Sequence, residues 1–252
     1  MSTNLQMTAE KFSEFLRCIT NLKEECNDID IKDGVIRQRS NDKTSIFQID
    51  MTPILTEEVS ISISDVKKKL DLLKVFAGQV VNLEINTEGN GYFIFSDTFT
   101  SLKFMAPAYQ FIDNKFMTEA ELVAIFNLNE DELILEYEIS SMTTERIRVI
   151  TTGFNIKAIQ VEFEGETATI KAGTQAKDQF VKFAEDIPTN VVFDQCSANL
   201  GVIPFSIEHD DQVEFKMYKD ANQDISLNTF TTKVSECEMI IFTRSSLVQN
   251  EE

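Results

Sequence analysis

The chain reads as two copies of one pattern, and that repetition constrains its fold more than any other feature. Arg17 and Arg148 occupy matching places in two amphipathic segments 131 positions apart, and Gly34 and Gly165 follow at the same spacing of 131. Ser64 matches Ser197 at 133. Val81-Asn-Leu-Glu-Ile85 matches Val213-Glu-Phe-Lys-Met217 at 132, and Asn90 matches Asn222 at 132. A near-constant offset over five landmarks is the mark of a duplicated unit, here of roughly 120 residues.

Each copy reads helix, strands, helix, strands. Residues 8–23 place Phe12, Phe15, Leu16, Ile19 and Leu22 on one helical face, with Thr8 as N-cap and Arg17 opposite. Asp33-Gly34 between two alternating runs is a two-residue hairpin signal. Strands are expected at 28–31, 35–39, 45–51 and 59–63. The spacing predicts a second helix over 64–76, capped by Ser64 and stopped by Gly78, with Val66, Leu70, Leu73 and Phe76 inward. Lys67, Lys68, Asp71 and Lys74 lie on its other side and Lys69 at its flank. Strands follow at 80–86, 92–95 and 100–105, with Glu88 to Gly91 as a turn, and the pattern breaks at Ala106-Pro107-Ala108.

In the second copy, 140–152 reads as a helix capped by Ser140 or Ser141, with Ile147, Ile150 and Phe154 inward and Arg148 opposite. A hairpin is expected at Glu164-Gly165, with strands at 167–172 and 179–183. A short, uncharged helix over 197–205 precedes strands at 213–217, 225–234 and 237–244, with a turn at Asn222. The domain expectation is 1–108, a connector over 109–131 that is helical near 118–126, and 132–252. The fold class is α+β, two tandem domains of antiparallel sheets with two helices each, since a helix with one apolar face packs on a sheet and leaves its polar face to solvent.

Composition narrows function. Lys plus Arg is 23 and Asp plus Glu is 42, a formal charge of −19, the reverse of the usual basic nucleic-acid binder. Net charge does not say where the cations sit. Cys18, Cys26, Cys196 and Cys237 show no paired spacing, and His209 is the one histidine, so no zinc or other metal site, no cofactor and no nucleophile–histidine pair is expected. The cysteines read as small buried hydrophobes. Phosphate-cradling glycine motifs are absent. No run nears the ~18 apolar residues of a membrane span, and MSTNLQMTAEKF lacks the layout of a secretory signal, so a soluble cytoplasmic protein with no membrane partner is expected.

The segments KFSEFLRCITNL with its following Asp33-Gly34, SDVKKKLDLLKVFAG, GYFIFSDTFTSLKFMAP and TTERIRVITTGF with its following Glu164-Gly165 together resemble the DNA polymerase sliding clamps, over nearly the whole chain. The two-domain length resembles the phage, archaeal and eukaryotic type, and the acidic connector with the weak last helix looks most like a diverged phage clamp, which would act in a bacterial host's cytoplasm. The resemblance implies a processivity factor without catalytic residues. Three chains would close a homotrimeric ring by pairing edge strands, with sheets as the outer wall and helices lining a hole for duplex DNA. Lys11, Arg17, Lys67, Lys68, Lys74, Arg146 and Arg148 would face DNA without reading sequence, and Glu10, Glu14, Asp71 and Glu145 on the same faces would weaken that attraction. A DNA polymerase would be tethered by a short peptide in a groove beside the connector, involving some of Phe111, Ile112, Phe116, Ser246, Leu247 and Val248. A separate clamp loader would open the ring. The plainer readings are solvated helix faces and connector aromatics pinned to a sheet. Two rival functions stand beside the clamp. One is a virion or tail protein of repeated β-domains. The other is an enzyme using a carboxylate pair among Asp194, Glu208, Asp210 and Asp211.

Overall fold

The computed structural model describes residues 2–56, 59–86, 91–105, 116–156, 158–174, 179–220 and 224–249. They divide into one unit of Met1–Glu119 with Lys233–Met239 and a second of Ala120–Thr232 with Ile240–Glu252, a division that falls inside the 109–131 segment. The expected turn over 88–91 (apart from Gly91), the break at 106–108 and the turn at Asn222 lie outside the described residues.

The first unit opens with β1 (Ser2–Met7), a polar strand that period counting misses. Thr8 then caps α1 (Ala9–Leu22): its backbone is extended and its hydroxyl accepts the Lys11 amide at 3.2 Å, satisfying one of the four donors a helix start leaves free. Phe12, Phe15, Cys18, Ile19 and Leu22 are buried. β2 (Ile29–Lys32) and β3 (Val35–Arg39) join through Asp33 and Gly34, whose φ values of 52° and 75° are those of the mirror-image turn that fits strand twist. β4 (Ser45–Asp50) and β5 (Ile61–Ile63) complete a sheet ordered β5-β2-β3-β4.

α2 (Val66–Leu73) continues as a 3-10 turn, Lys74–Phe76. Ser64 is not its cap. Asp65 precedes the helix in a left-handed conformation without a side-chain bond, and the Ser64 hydroxyl instead accepts Lys69 Nζ at 2.8 Å. β6 (Val81–Asn86), β7 (Tyr92–Ser96) and β8 (Ser101–Met105) form the antiparallel sheet β1-β6-β7-β8. Phenylalanines join helices to sheet: Phe12 meets Phe15, Phe76 and Phe95 at 6.1, 6.1 and 5.9 Å, and Phe93 meets Phe104 at 5.4 Å. Full burial of one such ring contributes about 1.5–3 kcal/mol.

The second unit carries α3 (Glu119–Ile125), a 3-10 turn at Glu130–Glu132, β9 (Leu133–Ile139) and α4 (Ser141–Gly153). Ser140 caps α4 by accepting the Thr143 amide at 3.2 Å. Thr144, Ile147 and Thr151 face inward, whereas Phe154 does not: it follows the last helical residue and is 69% exposed.

The expected hairpin at Glu164-Gly165 is absent. β10 (Ala158–Thr174) runs straight through it, paired with β11 (Gln179–Gly201), and Gly165 (φ 61°) marks a register irregularity. Buried apolar residues before it are odd-numbered, Val161 and Phe163, and those after it even-numbered, Ala168, Ile170 and Ala172; Lys171 between the last two is covered as well and pairs with Glu162. A one-residue slip flips every side chain to the other face, and a bulge absorbs the slip without reversing the chain. The expected helix at 197–205 is likewise strand up to Gly201. The apolar residues Cys196, Ala198 and Leu200 fall two apart and are buried, Asn199 is exposed, and Ser197 is covered between Glu162 of β10 and Val248 of β14, so period two prevails in the apolar pattern, and α5 is a single turn, Ile203–Ser206, with Pro204 in it.

β12 (Val213–Lys219), β13 (Ile225–Val234) and β14 (Cys237–Gln249) finish the chain. Duplication is visible in pairing register. Met7 opposes Val81 and Leu5 opposes Leu83, while Ile139 opposes Val213 and Tyr137 opposes Phe215, all four shifted by 132.

Candidate nucleic-acid interface

α1, α2 with its 3-10 extension, and α4 together carry eight basic and four acidic residues, in a chain whose formal charge is −19. Amphipathicity fixes where most of these charges point: the apolar stripe is buried, so the opposite face meets solvent.

On α2, Lys67, Lys68 and Lys74 are exposed. Lys67 Nζ lies 3.1 Å from Glu24, and Lys74 Nζ lies 2.7 Å from Asp71. The bond from Lys74 holds the Asp71 carboxyl below its ordinary range. Lys69 turns away from this row. It is half-buried, bonded to Ser64, with its ammonium 6.0 and 5.5 Å from the Phe93 and Phe104 rings, and burial pushes it below the usual lysine range. It braces the helix on the sheet.

On α1, Lys11 is exposed and reaches back to the Pro53 carbonyl at 2.9 Å, and Arg17 is half-buried. On α4, Arg146 is exposed, and Arg148 pairs with Glu145 at 2.5 Å. The three ion pairs are solvent-exposed, the kind worth about 0–1 kcal/mol, so a phosphate can displace the carboxylate partner at little cost.

Each unit has a cleft at its helices. In the first it is lined by Ala9, Glu10, Ser13, Glu14 and Gly78; in the second, by Ser141, Glu145, Arg148, Phe205, Glu208 and His209 among others, with a volume of about 250 Å³. Ala9 and Ser13 lie 132 positions from Ser141 and Glu145, so the clefts occupy equivalent places. His209 Nδ1 sits 2.7 Å from the Asp211 carbonyl, a local bond with no nucleophile in it. Asp194, Glu208, Asp210 and Asp211 are exposed, and among the described residues no group of three His, Cys, Asp or Glu side chains could hold a metal ion. All four cysteines are buried and free, and the Cys18 thiol, hydrogen-bonded to Cys237 and buried, is raised far above the ordinary thiol range and stays protonated. No described helix is long and apolar enough to cross a membrane.

The second unit's sheet separates charge by face. Phe215 and Phe230 stack at 4.7 Å under Phe205 of α5, and Asn228 on that same face bonds the hydroxyls of Thr243 and Ser245. Residues of opposite parity point the other way: Glu214, Lys216 and Tyr218 on β12, and Phe242 and Arg244 on β14. Lys216 sits there between Glu136 at 3.3 Å and Glu214 at 3.2 Å. Tyr218 bonds Glu130 of the 3-10 turn at 3.3 Å. α3 packs on this face too: Phe126, just past its end, meets Phe242 at 5.3 Å. α3 and the 3-10 turn contain five acids and no base.

The expected peptide-groove residues are placed as follows. Phe111 and Ile112 lie outside the described residues. Phe116 is in the first unit, bridged to Gln38 of β3, with Lys32 Nζ 5.6 Å from its ring. Leu247 and Val248 are in the second unit, where β14 pairs with β11, and Ser246 and Val248 are exposed. Leu122, Phe126, Phe242 and Arg244 are the residues the sequence reading passed over. Leu122 and Phe126, four apart in the 118–126 segment, were the available signal.

No family model and no curated protein sequence matches the chain. Solved structures do match in fold. Proliferating cellular nuclear antigen (PCNA) of Entamoeba histolytica is similar with a TM-score of 0.62 at 15% identity, over 96% of this chain and 98% of that one. A. fulgidus PCNA, solved with the C-terminal region of FEN-1, gives 0.61 at 13% identity over 100% of both chains. A chain of the PCNA2–PCNA3 complex from Sulfolobus tokodaii gives 0.59 at 15% identity over 97% and 99%. The fold is α+β, of the two-domain clamp type, with antiparallel sheets and helices. Those proteins are not from phages, and the phage-type expectation gains no support from them.

Proposed function

We propose that the chain is a DNA sliding clamp, a homotrimeric processivity factor that encircles duplex DNA and tethers a replicative polymerase. The observation that carries this reading is charge segregation: basic residues outnumber acids two to one on α1, α2 and α4 in a chain of −19. Duplication and the clamp-type fold support it. Lys11, Arg17, Lys67, Lys68, Lys74, Arg146 and Arg148 meet phosphates through flexible stems and read no base edges, so contact is independent of sequence and weak enough to slide. Chains join by edge pairing between β8 of one and the 179–188 part of β11 of the next, where Met105 (57%) and Val181 (38%) are exposed beside strand edges that have no partner strand among the described residues. A loader opens the ring, no step of the chain's own is catalytic, and it works where replication does, in cytoplasm if the source is a bacterial virus.

The test is topological. Chain loaded on a nicked circular duplex stays bound at a salt concentration that removes it from linear DNA, and cutting the circle releases it. Equal retention on both forms refutes encirclement. Sedimentation of the free chain should report a trimer of 28.7 kDa subunits, and a stable monomer at micromolar concentration would count against a preassembled ring.

A further inference from the structure

Leu122, Phe126 and Arg244 help hold α3 to its sheet. Leu122 and Phe126, one turn apart, are buried, at 7% and 6% exposure, while Val123 between them is 55% exposed. The Phe126 ring lies on Phe242. The Arg244 guanidinium sits 5.3 Å over the Phe126 ring and donates a hydrogen bond to the carbonyl of Ile125, the last residue of α3. One cation thus stacks on the helix's aromatic anchor and satisfies a carbonyl that a helix end leaves free.

The seven residues of α3 are far below the ~12–15 at which an isolated helix becomes even marginal in water, so this contact, not propensity, keeps it wound. With α3 lifted, the face of β14 would present an exposed Phe and an exposed Arg. What fits them is legible from what sits there: a two-turn acidic segment with Leu and an aromatic four residues apart.

We propose that α3 is a resident occupant of a docking site, covering in cis the face of Phe242 and Arg244 that a partner's short amphipathic helix of the same chemistry takes in trans. This rests on the reading of the chain as a peptide-tethering clamp and adds to it that the tether site is closed at rest. A partner's apparent affinity is then its intrinsic affinity scaled by the fraction of chains with α3 lifted.

The test uses the full chain without DNA and a fluorescein-labelled peptide of residues 118–128, TEAELVAIFNL, followed by anisotropy. Val123→Pro breaks α3 at an exposed position. It should tighten peptide binding on the order of a hundredfold, the factor an interior proline costs a helix. Adding Arg244→Ala to that variant should abolish the gain. Equal affinity for wild type and Val123→Pro overturns the proposal, as does no binding to Val123→Pro at millimolar peptide. If Val123→Pro does not fold, hydrogen exchange of the wild type decides. The Phe126 amide, bonded to the Leu122 carbonyl at 2.8 Å, should exchange at least a thousandfold faster than amides of β12, and protection equal to β12 refutes a removable α3. A chain that passes here and fails the circular-DNA test keeps its docking site and loses the clamp reading.

Discussion

Replacing Lys67, Lys68 and Lys74 together by alanine tests the DNA-facing assignment. Folding should barely change. Lys67 and Lys74 hold Glu24 and Asp71, but all four side chains are 61–70% exposed, and each such pair is worth about 0–1 kcal/mol. Alanine is the strongest helix former and offsets part of that. DNA binding should change in a specific way. Each lysine that neutralises a phosphate adds about 0.9 to the slope of log K against log salt on duplex DNA, so removing three lowers the slope by about 2.7. Between ~50 and ~200 mM salt the wild type should lose roughly 40-fold more affinity than the variant. Low-salt affinity should also fall, because Glu24 and Asp71 are left without their lysines. Anisotropy of a labelled duplex across a salt series reads all of this. A control triple at Lys43, Lys219 and Lys233, exposed but off the helices and off the proposed chain-joining edges, should leave the slope alone. An unchanged slope in the α2 variant, or an equal drop in the control, refutes the assignment.

Gly34→Ala should cost about 1–3 kcal/mol in urea unfolding, because at φ 75° the new Cβ meets Thr52 Cγ2 at 3.0 Å and the Thr56 carbonyl at 3.2 Å. Gly165→Ala, at φ 61° with nothing within 4 Å, should cost less, and equal losses would contradict the crowding argument. Ser140→Ala and Thr8→Ala should each cost about 1 kcal/mol in thermal unfolding, through the lost cap bond, with unchanged stability counting against it. Burial, with Glu130 beside it, pushes the Tyr218 phenol up to about 12. The folded state favours the neutral phenol, so this contribution is intact below about pH 10 and is lost as pH rises from there through about 12. Ultraviolet titration should show one of the four tyrosines ionising late, and Tyr218→Phe should remove that step.

Much of the fold was readable from residue order because its signals are local. One-sided apolar stripes mark α1, α2 and α4, and the Asp33-Gly34 turn with its flanking strands follows from turn chemistry. What escaped was decided by distant partners. β1 alternates only over Leu5 and Met7, too short a run to announce itself, and is a strand because β6 lies beside it. Glu164-Gly165 spells a turn like Asp33-Gly34, yet β11 holds both sides of it in one strand. Ser197 looked like a cap, but the alternation of Cys196, Ala198 and Leu200 matched β10. The basic positions were legible because amphipathicity alone sends them outward; Lys69 was ambiguous at the flank, and two aromatic rings drew it in. The α3 contact joins Phe126 to Phe242 across more than a hundred residues, and nothing local announces it.

The two faces of the second unit's sheet have a consequence for range. A β-sheet layer is about 10 Å thick, close to the ~8 Å Debye length of physiological salt. α4, which carries Arg146 and Arg148, stands on the Phe205 side, and α3 and the Glu130–Glu132 turn with their acids stand on the other. At that ionic strength a phosphate near α4 senses the arginines, while the acids behind the sheet are largely screened. At ~10 mM salt the screening length grows to about 30 Å, and the acidic face is felt through the layer. Dissolved ions are then what allows so acidic a chain to present an attractive side. Its hold on DNA should pass through a maximum in salt, weakening toward very dilute buffer as well as toward concentrated buffer.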